Sequence, residues 1–252
     1  MDSLFNIAGS MGRLVVDLVL PPQCLSCKEE IATPRALCAS CWQKLTVIDA
    51  PLCNRLGVPF AYDPGEGAVS ALALARPPKF NRARGAVIFD DVSRTLIHAA
   101  KYGDRHEVFE LMSRMMARSG AQLLRECDLI MPVPLHRGRL WTRRYNQSAV
   151  LAQRLAKLSG RPVDLFSLRR VKATQSQTSL NDHARRKNVK RAFAISEKGR
   201  ARIEGRRIVL VDDVLTTGAT TEACAETCMK AGARAVDVLV FALVFDPARI
   251  HI

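Results

Sequence analysis

Two groups of residues carry the chemistry legible in this chain. The first is the string VLVDDVLTTGAT at residues 209–220. Two adjacent carboxylates, Asp212 and Asp213, follow an apolar run. Thr216, Thr217, Gly218, Ala219 and Thr220 then make a turn rich in hydroxyls around one glycine. Carboxylates accept hydrogen bonds from vicinal sugar hydroxyls. Free N–H groups at a helix start receive a phosphate where glycine permits close approach. Together they describe a site for a ribose 5-phosphate derivative. An ordinary helix cap would account for one threonine and one aspartate, not for two of each beside the glycine. The second group is a double Cys-x-x-Cys, Cys24/Cys27 and Cys38/Cys41, whose four thiolates suit tetrahedral zinc. A redox Cys-x-x-Cys would open a helix within a βαβ pattern, which this region lacks. Cys53 and Cys127 read as small apolar residues, and Cys224 and Cys228 share a helical face.

These residues need elements to hold them. Short apolar runs predict strands at 85–90, 128–133, 192–195, 207–211 and 235–245. Helical periodicity covers 94–126 (with a break near Gly103), 143–159, 179–188 and 218–231. The alternation predicts an α/β domain with a largely parallel sheet. The strand at 207–211 would then deliver Asp212 and Asp213 to the carboxyl edge, where open α/β sheets bind ligands. The expected organisation is an amphipathic helix and a four-cysteine zinc-binding module over 1–60, a Pro/Gly-rich linker over 61–84, and the α/β domain over 85–252. No internal repeat or low-complexity segment is evident.

Composition narrows the partners. With 252 residues, 48% of them apolar and 25% charged, the chain can bury a core without disulfides, and wholesale disorder is excluded. Lys and Arg outnumber Asp and Glu by 38 to 24, yet residues 134–207 alone hold 20 against 4. That concentrated surplus favours an anionic partner bearing phosphate. Aromatic residues are too few, at 6%, for a base-stacking platform. No apolar run is long enough for a transmembrane helix. The apolar stripe Leu4, Ile7, Met11, Leu14, Val15 and Leu18 is interrupted by Asp2, Arg13 and Asp17, unlike a secretory signal, so a cytoplasmic location is expected. No GxxxxGK[ST] loop occurs, and no hydrolase triad follows from spacing. His98, His106, His183 and His251 have no partner pattern.

The 209–220 segment resembles the phosphoribosyl pyrophosphate (PRPP) motif of type I phosphoribosyltransferases. The Cys-x-x-Cys pairs, HAAKYGD at 98–104, MPVPLHRGRLWTRRYNQS at 131–148 and RRVKATQSQTSLNDHARRKNVKRAF at 169–193 narrow the resemblance to the ComF family of competence proteins. It implies a type I phosphoribosyltransferase-like fold, a largely parallel twisted sheet flanked by helices, with a small N-terminal zinc module. It further implies that Asp212 and Asp213, the candidate catalytic pair, hold the ribose hydroxyls, and that Thr216 to Thr220 hold the 5′-phosphate. Val133, Pro134, Leu135, His136 and Arg137 would form the pyrophosphate loop, with His136 a candidate anion ligand. Arg143, Asn146 and Gln147 would border the cleft. Thr174, Gln177, Arg185 and Asn188 fall where such folds carry a loop over the substrate. Mg²⁺ would accompany the pyrophosphate.

The chain departs from the family pattern at two places. Leu56 stands where the family's Cys-x-x-Cys-Gly after the second knuckle would put a cysteine following Cys53, and Arg144 replaces a glycine before Tyr145. The resemblance implies support of DNA uptake in natural transformation, handling single-stranded DNA with a helicase-like partner at the inner membrane. Two alternatives stay open: an active phosphoribosyltransferase acting on an unidentified base or amine, and a PRPP-sensing regulator that binds nucleic acid.

Overall fold

The computed structural model describes residues 21–102, 106–135, 145–172 and 191–245. The N-terminal stripe of apolar residues lies outside them, as does the helix expected over 179–188. Four strands form the main sheet: β1 (Ala83–Ile88), β2 (Leu129–Pro132), β5 (Arg207–Leu215) and β6 (Ala235–Leu243). Their spatial order is β1-β6-β5-β2, and every pairing is parallel. A separate antiparallel pair joins β3 (Leu168–Arg170) to β4 (Phe193–Ile195).

Helices cover both faces of the sheet, so its strands read as continuous apolar runs instead of alternating ones. On one face Val209, Val211, Leu239 and Phe241 pack with α3 (Asp91–Tyr102), α4 (His106–Ser119) and α6 (Gln147–Ser159). On the other, Ile208, Leu210, Val238 and Val240 pack with α8 (Ala219–Lys230), Phe193 of β4 and Ile203 of α7 (Glu197–Ile203).

The helical stretch expected over 94–126 is divided. A short α5 (Ala121–Glu126) follows α4 after Gly120, where an added Cβ would stand 2.6 Å from the Leu239 side chain. The helix expected from residue 143 starts at Gln147, because Asn146 caps it: the Asn146 side chain accepts from the Ser148 N–H. Strand β3 and helix α7 were not foreseen; both are too short to show a period.

Asp237 is fully buried at the amino end of β6, against Arg82 and Arg207, which also reach Glu126. A buried carboxylate requires such partners. Arg207 belongs to the basic 134–207 stretch, as does Arg202, which pairs with Asp164. Arg207 therefore spends its charge on acids from outside the stretch, at the amino end of the sheet, whereas Asp164 is already one of the four acids counted within it.

The N-terminal module holds α1 (Ala39–Lys44) and α2 (Ala71–Ala75). It is stitched to the outer edge of β1 by a bridge between Val47 and Val87, with Ile48 N–H donating to Ala86 O and Ile88 N–H to Thr46 O. A strand edge that would otherwise template foreign pairing is covered.

Candidate functional site

Strand β5 runs past its expected end at Val211. Strand β6 stays alongside it, pairing Asp212 with Val240 and Leu215 with Leu243. On the other side β2 stops at Pro132, opposite Val211. Asp212 and Asp213 thus remain in the sheet through β6 while their β2 flank lies open. The cavity there measures about 270 Å³, near the lower end of small-molecule sites. Its wall is formed by the unbroken run from Asp212 to Thr221, by Val133, Pro134 and Leu135 after β2, and by Lys101, Gln147, Ser148 and Arg170.

Gly218 makes the turn into α8. Its φ of 76° is left-handed, a conformation that costs glycine least, and no side chain caps the helix behind it. The first N–H groups of a helix have no partners within it, so this end carries partial positive charge. The cavity therefore has carboxylates on the strand side and a phosphate-receptive helix start on the other.

The two carboxylates differ. Asp213 pairs with Lys101 Nζ at 2.6 Å. Asp212 accepts from Ser148 Oγ at 2.8 Å and from the Asp213 N–H at 2.9 Å. Desolvation, and then the charge of Asp213, push Asp212 up to about 7 despite those hydrogen bonds and the nearby Lys101. Gln147 is buried, lines the cavity, and its side-chain Nε2 has no partner among the described residues. A buried donor without a partner beside a cavity calls for an explanation.

Of the residues expected in the site, Asp212, Asp213, Thr216, Thr217, Gly218, Ala219, Thr220, Val133, Pro134, Leu135 and Gln147 line this one cavity. Asn146 supports it instead, bonding Val133 O through Nδ2 and capping α6. His136, Arg137, Arg143, Thr174, Gln177, Arg185 and Asn188 lie outside the described residues. Six lining residues were not among the expected site residues: Val214, Leu215 and Thr221, which continue the motif itself, and Lys101, Ser148 and Arg170 from other elements. Lys101 follows the buried Ile97 and Ala100 on α3 and lies within the HAAKYGD string at 98–104, which gave it no site role. Ser148 and Arg170 also lie in the strings at 131–148 and 169–193, but the first reads as a helix-start serine and the second as one of many arginines. Arg170 stacks on the Phe193 ring at 5.4 Å across the β3–β4 pair. Tyr145 Oη donates to Ala100 O, tying the segment before α6 to the helix that carries Lys101.

The second candidate centre lies in the N-terminal module. The sulfurs of Cys24, Cys27, Cys38 and Cys41 all fall within 4.8 Å of one another, and Cys27 and Cys38 are 3.6 Å apart. Zinc–sulfur bonds of about 2.3 Å in a tetrahedron separate sulfurs by about 3.8 Å. The Cys38 N–H donates to Cys24 Sγ, and the Cys41 N–H to Cys38 Sγ. The Cys38 thiol is nevertheless pushed up to about 12. The Cys41 N–H favours its thiolate, but desolvation and the neighbouring Glu29, Cys27 and Cys41 outweigh that. Crowded sulfurs of this kind need a cation to hold them all ionised, and the donor set fits structural zinc. Away from the cluster, burial drives Cys127 up to about 11 and Cys228 to about 12. Cys53 is more than a small apolar residue, because its sulfur accepts from the N–H groups of Leu56 and Ser70.

Residues 15–72 match the double zinc ribbon domain. Across most of its length the chain is similar to the DNA utilization protein YhgH of Escherichia coli K12, 30% identical over 227 residues, or 88% of this chain and 96% of that one. It is also similar to competence protein F of Haemophilus influenzae, 26% identical over 222 residues, covering 86% and 94%. Solved structures give partial superpositions. The allosteric regulatory enzyme of purine biosynthesis matches at a TM-score of 0.38 and 23% identity over 56% of this chain and 29% of its own. Orotate phosphoribosyltransferase from Aeropyrum pernix matches at 0.35 and 18% over 66% and 82%. Among the described residues no helix is long and apolar enough to cross a membrane. With a parallel sheet flanked by helices and a zinc ribbon ahead of it, the chain belongs to the ComF family, that of YhgH and competence protein F.

Proposed function

We propose that the cavity at the carboxyl edge binds PRPP with Mg²⁺. One observation carries this reading: a single cavity puts the Asp212/Asp213 carboxylates opposite the Gly218 turn and the start of α8. Asp212 and Asp213 would accept the ribose hydroxyls. Thr216, Thr217, Gly218, Ala219 and Thr220 would enclose the 5′-phosphate. The strand exit at Val133, Pro134 and Leu135, continuing to His136 and Arg137, would face the pyrophosphate, with Lys101 and the Gln147 amide as further donors. Mg²⁺ would be held mostly by pyrophosphate oxygens and water, which fits a cavity with few fixed ligands.

The test is thermal. Ligand at about 100 times its dissociation constant adds roughly 2.7 kcal/mol, or about 5–10 °C for a protein of this size. The double variant Asp212→Asn, Asp213→Asn should keep its fold and lose the shift; an unchanged shift would remove both carboxylates from the site. Turnover would be a separate property. An acceptor atom would bond to C1 of the ribose as the C1–oxygen bond to pyrophosphate breaks. Mass spectrometry of bases and amines incubated with PRPP, Mg²⁺ and the protein would reveal a 5-phosphoribosylated product.

A second reading concerns nucleic acid. The 20 to 4 imbalance over residues 134–207, and the similarity to a DNA utilization protein and a competence protein, support handling of single-stranded DNA. A helicase-like partner at the inner membrane belongs to the same proposal. On this reading PRPP would be a regulatory ligand or a substrate of a protein acting on imported DNA in the cytoplasm.

A further inference from the structure

The N-terminal module contains the same unit twice, although its sequence shows no repeat. In the first copy the Cys24 N–H donates to Glu29 O and the Lys28 N–H returns to Cys24 O. Lys28 takes a φ of 67°, and Gln23 bridges Glu30. Moved by 29 residues, each feature recurs. The Cys53 N–H donates to Val58 O, the Gly57 N–H to Cys53 O, Gly57 has a φ of 67°, and Leu52 bridges Pro59.

The second half of the unit recurs after 32 residues. Cys38 caps α1 with φ −68° and ψ 163°, and its sulfur accepts the Cys41 N–H at 3.4 Å. Ser70 caps α2 with φ −66° and ψ 151°, and its hydroxyl accepts the Ala73 N–H at 3.4 Å. The Cys38 N–H donates to Cys24 Sγ at 3.2 Å; the Ser70 N–H donates to Cys53 Sγ at the same distance. The crosslink from Leu25 N–H to Ala36 O is matched by that from Asn54 N–H to Ala68 O.

This correspondence pairs each of the four metal ligands with a residue of the second copy: Cys24 with Cys53, Cys27 with Leu56, Cys38 with Ser70, and Cys41 with Ala73. Only one sulfur survives in the second copy. Leu56 and Ala73 have no donor atom, and the Ser70 hydroxyl caps α2. Four-coordinate zinc cannot form on that set. Cys53 still keeps the environment of a ligand sulfur: burial opposes its thiolate, but the Leu56 N–H and the hydroxyl and N–H of Ser70 outweigh this and hold the thiol below its ordinary range.

Protein contacts hold the second knuckle in place. Cys53 and Ala73 are buried, and Leu56 packs on the cluster that contains Ile48, Phe80 and Ala83. Arg55 donates to Pro78 O and Phe80 O while its own carbonyl accepts the Ala83 N–H. Arg84 reaches back to Asn54 O. At Gly57 an added Cβ would lie 2.3 Å from Ala83 O, so this knuckle sits directly on the backbone at the start of β1. We infer that the second ribbon is a metal-free copy of the first, folded by docking on β1, so that the chain takes one zinc and not the two a double ribbon implies.

Metal analysis of the full-length protein tests this. The native chain should hold one zinc. The variant with Leu56→Cys, Ser70→Cys and Ala73→Cys restores four sulfurs on an existing frame and should hold two. Two zinc ions in the native protein would overturn the inference. So would a folded triple variant that stays at one, because the residue correspondence would then be wrong. Should the triple variant fail to fold, Cys53→Ser in the native chain decides: zinc content stays at one if Cys53 is not a ligand and falls if it is.

Discussion

Lys101 Nζ lies 2.6 Å from Asp213 Oδ2, joining helix α3 to strand β5 across the mouth of the cavity. The neighbouring Asp212 has a hydroxyl and an N–H as its hydrogen-bond donors. Two adjacent carboxylates thus have different surroundings. One is matched by an ammonium group; the other is pushed towards neutral pH by burial and by its neighbour.

Lys101 should matter more for binding than for folding, since it is partly exposed and its carboxylate partner faces the cavity. Lys101→Met leaves Asp213 unmatched and removes a cation from the proposed pyrophosphate side. PRPP–Mg affinity should fall about tenfold or more, equivalent to roughly 1.4 kcal/mol. Lys101→Arg should recover part of that. Isothermal titration of the three proteins would measure it, and equal affinities would exclude Lys101 from the site.

Asp212 makes stability depend on pH in an unusual direction. Its folded pKa of about 7 exceeds the ordinary 3.8, so the native state holds the proton more tightly than the unfolded chain does. The associated stability is complete below about pH 4 and is lost as pH rises towards 7. Asp212→Asn, which cannot ionise, should therefore gain on the native protein between pH 4 and 7 and keep that lead above it. A gain on the order of 1 kcal/mol corresponds to about 2–4 °C in melting temperature. Parallel melting curves across that range would expose any opposite trend.

Removal of the metal should act locally. Cys38→Ser takes away a zinc ligand while leaving a hydroxyl able to cap α1 as Ser70 caps α2, so zinc should leave and amide protection should fall around residues 24–44. Amides of β5 and β6, buried in the main sheet, should stay protected. Hydrogen exchange read by mass spectrometry separates the two regions, and retained zinc would mean that the ligand set is different.

Single-stranded DNA should bind without sequence preference and with steep salt dependence. Neutralising about four to six phosphates gives a log–log slope of roughly −3 to −4, a loss of about 60- to 250-fold between 50 and 200 mM salt. Substituting Arg185, Arg186 and Arg191 should flatten the slope equally for all bases. Saturating PRPP displaces the DNA if both use one site and leaves it bound if they do not. No detectable binding of a thirty-base oligonucleotide at 50 mM salt would end the DNA proposal for the isolated protein.

The sequence by itself determined what depends on neighbours along the chain. The apolar run at 208–211, the aspartate pair and the threonine–glycine turn are contiguous, so strand, site and helix start could be read together. Spacing alone likewise paired Cys24 with Cys27 and Cys38 with Cys41. Tertiary structure decided what depends on distant segments meeting. Strand β5 extends to Leu215 only because β6 runs beside it, and the aspartates face open space only because β2 ends at Pro132. Lys101, Ser148 and Arg170 reach the cavity from three separate elements, a convergence no local pattern encodes. The second ribbon escaped sequence reading for a related reason. Its metal ligands, the residues that mark a ribbon, are replaced by Leu56, Ser70 and Ala73, while the backbone hydrogen bonds that preserve its shape leave no trace in side-chain spacing.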